Sequence, residues 1–242
     1  MVIWFTLLVL GAYLLGSVPS AYLVAKWSRG IDIRQYGSGN VGAANVLAFT
    51  SKWGAVLVIV FDLGKGMLPV YIAQLIDLPV YQQVIIGLAA ITGHNWPVFL
   101  RFGGGRGLLT TLGVLFILAP WLGLVSTVIA FAWLPFKQLA VGTTCALILL
   151  PIFSWFISQP FGIEKSPPLT LGFVAMLLLV VIRRLTAPRT SVTASMPTGE
   201  LIVNRLLFDR DIRDRKAWIS QTPRGVGPME QPPGEEEKQE KC

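Results

Sequence analysis

The chain has 242 residues, 53% of them hydrophobic and only 14% charged, far more apolar side chain than one soluble core of this size can bury. Its net charge of +7 belongs to residues 1–185, where eleven Lys and Arg face four Asp and Glu; the remainder balances nine against nine. The cations stand singly or in pairs between apolar runs, which argues against a nucleic-acid partner and fits anionic membrane lipid or a phosphorylated small molecule.

The first apolar stretch, Val2 to Ala25, lacks the basic start of a secretory signal and exceeds a signal's apolar core, so it is read as a retained helix over 2–26. About 20 consecutive apolar residues cross a bilayer as a helix, because only there are all backbone polar groups satisfied within the segment. Further spans are predicted over 52–76, which carries Asp62 and Lys65, and over 79–100. The uncharged run from Leu108 to Phe136 is too long for one helix, and Ala119-Pro120-Trp121 offers a turn that divides it in two. Spans over 138–158 and 169–185, separated by a Pro-, Glu- and Lys-containing loop at 159–168, complete the set. The predicted fold class is all-α: a polytopic membrane protein with about seven transmembrane helices and glycine-rich cytoplasmic loops.

An external N-terminus places Lys26, Arg29, Arg34, Lys52, Arg101, Arg106, Lys137, Arg183 and Arg184 inside and leaves only Lys165 outside, as the positive-inside bias requires. The C-terminus is then cytoplasmic. Residues 1–185 form the transmembrane domain; 186–221 form a cytoplasmic segment with an interfacial amphipathic helix near 200–219. The Pro, Gly, Glu and Lys of 222–242 predict a disordered tail. Cys145 and Cys242 make no disulfide framework.

Two inside loops carry the polar chemistry. The first, from Ile33 to Asn45, contains a literal G-x-G-x-x-G over Gly37, Gly39 and Gly42, but no βαβ unit surrounds it, so a dinucleotide fold is excluded. Its glycines still allow close backbone approach and an anion-holding nest of N–H groups, with Ser38, Asn40 and Asn45 as neutral hydrogen-bonding partners; the plainer role is a turn between helices. The second loop, Gly93 to Gly107, sets Gly103, Gly104, Gly105 and Gly107 around Arg106 at a helix N-terminus, an arrangement that holds an anion by backbone dipole and charge together. It lacks P-loop spacing, which points to a small phosphate compound. His94 is the only histidine and has no carboxylate or cysteine cluster near it in sequence, so no metal site is expected. Asp62 and Lys65 lie three apart on one helical face, as an ion pair or facing the site. Arg183 and Arg184 end the last span, where they set topology or hold a phosphate.

The blocks Gly16-Ser17-Val18-Pro19-Ser20, Gly37 to Asn45, Asp62-Leu63-Gly64-Lys65-Gly66 and Gly93-His94 through Gly107 follow one another over residues 1–185. In that order and spacing the chain resembles the membrane acyl-phosphate:glycerol-3-phosphate acyltransferase family of bacterial phospholipid synthesis. The resemblance implies a seven-helix protein of the bacterial cell membrane with a cytoplasmic active site and no metal, nucleotide or other cofactor. Its substrates would be acyl phosphate and glycerol 3-phosphate, its products lysophosphatidate and phosphate. On that reading Ser38, Asn40 and His94 orient the glycerol hydroxyl or take its proton. The substrates are held by Gly37, Gly39, Gly42, Asn45, Lys65, Gly104, Gly105, Arg106, Gly107, Arg183 and Arg184. The chain departs from the family pattern at Gly103 and Arg106, where lysines are usual, and at Ala48 and Arg184, where an arginine and a histidine are expected. Ala187 stands where the family has an Asn; Asn204-Arg205-Leu206-Leu207 resembles the missing segment after an insertion, and Asp211 stands for a family glutamate. These departures keep open a diverged paralogue that binds an acyl or phosphate ligand. The intramembrane Asp62 and Lys65 keep open a small transporter.

Overall fold

The computed structural model describes residues 2–136, 138–156, 167–187 and 196–214. Among these residues every regular element is helical. The first span is broken: α1 covers Val2–Ser17 and α2 covers Ser20–Arg29, because Pro19 has no N–H to continue the ladder. A 3₁₀ turn at Ile33–Gln35 and a short α3 at Ala43–Phe49 lead to α4, Lys52–Leu75, which starts with the Ser51 hydroxyl accepting from the Gly54 N–H. α5 (Val80–Asn95) continues through a second 3₁₀ turn at Val98–Leu100. Then come α6 (Leu108–Leu118), α7 (Pro120–Ala132), α8 (Leu139–Phe156), α9 (Pro167–Leu185) and α10 (Thr198–Phe208).

Five of these stretches are long and apolar enough to cross a bilayer: Val2–Arg29, Lys52–Leu75, Val80–Leu100, Leu139–Phe156 and Pro167–Leu185. The other two predicted spans are the shorter apolar helices Leu108–Leu118 and Pro120–Ala132, divided at Ala119 where the proline begins a new helix. The all-α membrane class therefore stands, with five helical stretches long enough to span and two short apolar helices where the 108–136 run was expected to divide. Lys137, most of the 159–168 loop and the 222–242 tail lie outside the described residues.

Helices meet through small residues, as they must where lipid supplies no hydrophobic drive between them. Gly16 of α1 lies against the Ala90 carbonyl of α5, and Gly93 of α5 lies in turn against the Tyr13 carbonyl of α1. Gly66 and Gly113 repeat the reciprocal contact between α4 and α6, on the Thr110 and Leu63 carbonyls. A methyl group at any of these positions would overlap main-chain oxygen. Around this frame Val70, Ile86, Ile91, Val114, Phe173 and Met176 form one fully buried apolar cluster.

The predicted amphipathic helix near 200–219 is shorter and more firmly held than expected. It ends at Phe208 and packs on α8 and α9 through buried Leu201, Asn204 and Arg205, while Ile202, Val203 and Leu207 stay exposed. Arg205 pairs with buried Asp211 at 2.7 Å and donates to the Leu185 carbonyl at 2.8 Å. Residues 215–219 lie outside the described residues.

Candidate active site

The break between α1 and α2 opens a small cleft, part of it open to solvent. Val18, Val41, Lys65, His94, Gly104 and Gly105 all reach it, so the broken helix, the first loop, α4, α5 and the second loop converge at one place. Two loops more than sixty residues apart in sequence touch here, with the Val41 carbonyl directly beside Gly105.

Asp62, 1% exposed, organises one side of the cleft. Its Oδ1 accepts from the Ser20 hydroxyl at 2.7 Å and from Lys65 Nζ at 2.8 Å, and lies 3.8 Å from His94 Nδ1. Lys65 also donates to the Val18 carbonyl at 3.2 Å, one of the acceptors left over where the first span unwinds. A buried ammonium is tolerated because it is matched by charge and by backbone at once. Lys65 and His94, two of the residues predicted for the site, are thus brought together. Ser20, which ties α2 to α4, and the acceptor role of Val18 lie outside the predicted set. Their signal, the Gly16-Ser17-Val18-Pro19-Ser20 block, was visible only as part of the resemblance.

His94 is buried, and its Nδ1 has no hydrogen-bond partner among the described residues. On the far side of the ring, Nε2 faces the Gly105 backbone so closely that a side chain there would collide with it. Gly105 N–H in turn donates to the His94 carbonyl at 3.1 Å. The second loop is pinned from α9 by Arg183, whose Nε and Nη2 donate to the Gly105 and Gly104 carbonyls at 2.8 and 2.6 Å. Arg183 therefore shapes the loop by turning its carbonyls outward from the cleft toward its own guanidinium. Gly107, at φ +71°, caps α6 beside the buried Asn95 carboxamide, whose oxygen and nitrogen have no hydrogen-bond partner among the described residues.

The other predicted residues fall at the edges. Gly37 and Gly39 turn the first loop with φ of +53° and +65°, and Gly42 starts α3 in extended conformation. The Ser38 hydroxyl accepts from the Asn40 N–H at 3.3 Å, and neither side chain lines the cleft. Asn45 is committed inward: its Nδ2 lies 2.9–3.2 Å from the Ile33, Tyr36 and Asn40 carbonyls, clamping the loop. Arg106 leaves the loop toward Asp209, with Nη1 2.9 Å from Oδ2. Arg184 donates to Thr144 Oγ1 at 2.6 Å and to the Leu206 carbonyl at 2.8 Å, and lies 3.2 Å from the same Asp209 carboxylate. Asp209 was outside the predicted set.

Comparison with known proteins places this arrangement. A family model described as glycerol-3-phosphate acyltransferase matches residues 6–190. The chain belongs to that family. A relative from Dehalococcoides mccartyi, glycerol-3-phosphate acyltransferase 4, is 42% identical over 89% of this chain and 93% of its own length. Glycerol-3-phosphate acyltransferase 5 of a second strain is 42% identical over 95% and 97%. The crystal structure of PlsY (YgiH), an integral membrane glycerol 3-phosphate acyltransferase, in its glycerol 3-phosphate form, superposes with a TM-score of 0.66 at 33% identity. It covers 74% of this chain and 88% of that one. The lysophosphatidic acid form gives 0.64 at 32%, over 74% and 87%. The family resemblance read from the four sequence blocks is therefore correct, and the helical membrane architecture is the family's own. The family model ends before α10, whereas the match to the second relative runs through it.

Proposed function

We propose that this chain transfers a fatty acyl group from acyl phosphate to glycerol 3-phosphate, releasing phosphate and lysophosphatidate, at the cytoplasmic side of a bacterial plasma membrane. One observation carries the reading: His94, with an unpartnered ring nitrogen, stands between the Asp62/Lys65 pair and a glycine loop whose shape is held by Arg183. Acyl phosphate is an activated mixed anhydride, so the enzyme has chiefly to orient the acceptor and stabilise charge on phosphate. A glycerol hydroxyl oxygen attacks the acyl carbon, the new ester C–O bond forms, and the C–O bond to phosphate breaks with its electron pair leaving on phosphate. The hydroxyl proton passes to His94 or to the departing phosphate. Arg106, the N–H groups of Gly104 and Gly107, and the Gly37 to Gly42 turn would surround the phosphates, with Gly105 giving close backbone approach and Ser38 and Asn40 at the rim. The acyl chain would remain among the membrane helices. The N-terminus is outside, the C-terminus cytoplasmic, and residues 1–185 are the catalytic domain.

The test is acyl transfer by purified protein in nanodiscs. Wild type with acyl phosphate and glycerol 3-phosphate yields lysophosphatidate, and His94→Ala and Arg106→Ala each lose about 10²-fold or more. Product from an acyl thioester in place of acyl phosphate would overturn the donor assignment. Bound glycerol 3-phosphate without product would overturn the transferase reading in favour of a binding protein.

A further inference from the structure

The segment after α9 meets the site through one carboxylate. Asp209 lies within 2.9 Å of Arg106 at both of its oxygens, and 3.2 Å from Arg184 Nε. Arg106 comes from the glycine loop and Arg184 from the end of α9, so a single anion joins two elements that Arg183 also links. The contact is shielded, with side-chain exposures of 15% for Arg106, 13% for Asp209 and 2% for Arg184.

The backbone is built to deliver this carboxylate. Asp209 ends α10 in the left-handed region at φ +56°, a conformation few residues other than Gly, Asn and Asp adopt readily, and one that persists where its surroundings over-determine it. Those surroundings are visible on both sides. Before it, the Leu206 carbonyl accepts from Arg184 Nη1. After it, Asp211 is locked by Arg205 and offers its own carbonyl to Asn204 Nδ2 at 3.0 Å. An amphipathic helix merely resting on the membrane would need none of these buried polar contacts.

We propose that Asp209 is a positioning residue for the acyl-transfer site, and that the α10 segment is a structural part of that site rather than an appended tail. Two guanidiniums brought this close repel one another, and the shared carboxylate offsets one of the two charges and, by accepting from Arg106 Nη1, directs the Arg106 fork. Arg106 keeps a net attraction for phosphate while its direction is set from outside the loop. The inference rests on the proposed function, in which Arg106 helps to hold a substrate phosphate.

Asp209→Asn is the informative change, because Asn keeps the shape and tolerates positive φ, so charge is removed without disturbing the turn. In nanodiscs the variant raises KM for glycerol 3-phosphate or acyl phosphate by about tenfold or more, with kcat within about threefold of wild type, as expected when a binding group is misdirected. Asp209→Glu recovers part of the loss. Asp209→Asn combined with Arg106→Ala is no worse than Arg106→Ala alone. An unchanged KM for both substrates overturns the proposal, and so does a lower one, which would make Asp209 a competitor of phosphate. If wild type makes no product, the function reading fails by itself. The positioning role is then decided by thermal unfolding in inorganic phosphate: stabilisation of wild type but not of Asp209→Asn supports it, and equal shifts, or none in either protein, overturn it.

Discussion

Asp62 shows how much one buried side chain can organise. It accepts from a serine on α2 and a lysine on α4 and stands within 4 Å of the histidine on α5, so three elements are referred to one carboxylate. Neutralising it leaves the Lys65 ammonium inside the bundle with a backbone carbonyl alone, and breaking a buried pair in this way costs about 3–5 kcal/mol. Asp62→Asn should therefore lower thermal stability in detergent by an amount of that order. Adding Lys65→Met should return most of it, since the stranded charge is gone. Activity should stay low in both, because His94 loses the carboxylate charge beside its Nδ1. The Asp62/Lys65 pair was legible in the sequence because two charges three residues apart in an apolar helix have few other uses. Ser20 was not: it lies 42 residues from Asp62, and only the tertiary fold lays α2 on α4. Asp209 was hidden for a stronger reason, since a carboxylate in a balanced, polar tail has the composition of a solvated residue.

At the scale of elements, what was legible followed from what the backbone cannot do. Pro120 has no N–H, so the 108–136 run had to divide there, and it does. The first span reads as continuous in hydropathy, yet Pro19 breaks it, and the break is where the cleft forms. The turn after α2 gives a pH-dependent test. Asp32 caps the Ile33–Gln35 turn by accepting from the Arg34 N–H, and its carboxylate pairs with the Arg34 guanidinium at 2.6 Å. The side-chain hydrogen bond from Arg34 holds the Asp32 carboxyl below its ordinary value of 3.8, and the same bond raises Arg34. A depressed folded-state value means that the stabilisation is present above the ordinary value and is lost as pH falls through the lower, folded one. Amide exchange at Arg34 and Gln35 should accordingly be protected at pH 5 and lose that protection below about pH 3.8 relative to an Asp32→Asn control, which should show no such step. A control that follows the same curve would remove Asp32 as the cause.

For the molecule as a whole, the distribution of cations predicts an orientation that can be measured. Cysteines introduced at Ser28 and at Asp77, in a background without Cys145 and Cys242, should label from opposite sides of an intact membrane, Ser28 from the cytoplasm and Asp77 from outside. Labelling of Ser28 from outside and Asp77 from the cytoplasm would invert the topology, and labelling of both from one side would mean that Lys52–Leu75 does not cross. Membrane class, family and approximate span positions were legible because hydropathy and short glycine-rich blocks are local properties. The convergence of those blocks was not, because it depends on the crossing of α1 with α5 and of α4 with α6.

Those crossings also divide the molecule mechanically. Where Gly16 meets Ala90 and Gly113 meets Leu63, main chain rests on main chain, and no side chain stands between the helices to rotate aside. Neither pair can slide or part by rotamer changes, so they act as fixed jaws on either side of the cleft. Any widening that admits a substrate has to come from parts fastened largely by side chains: the Gly37 to Gly42 turn, clamped by Asn45, and the glycine loop, hung from Arg183 and Arg106. The hinges of this protein are thus a few hydrogen bonds to carbonyls and one shared carboxylate, each removable by a single substitution without touching the frame.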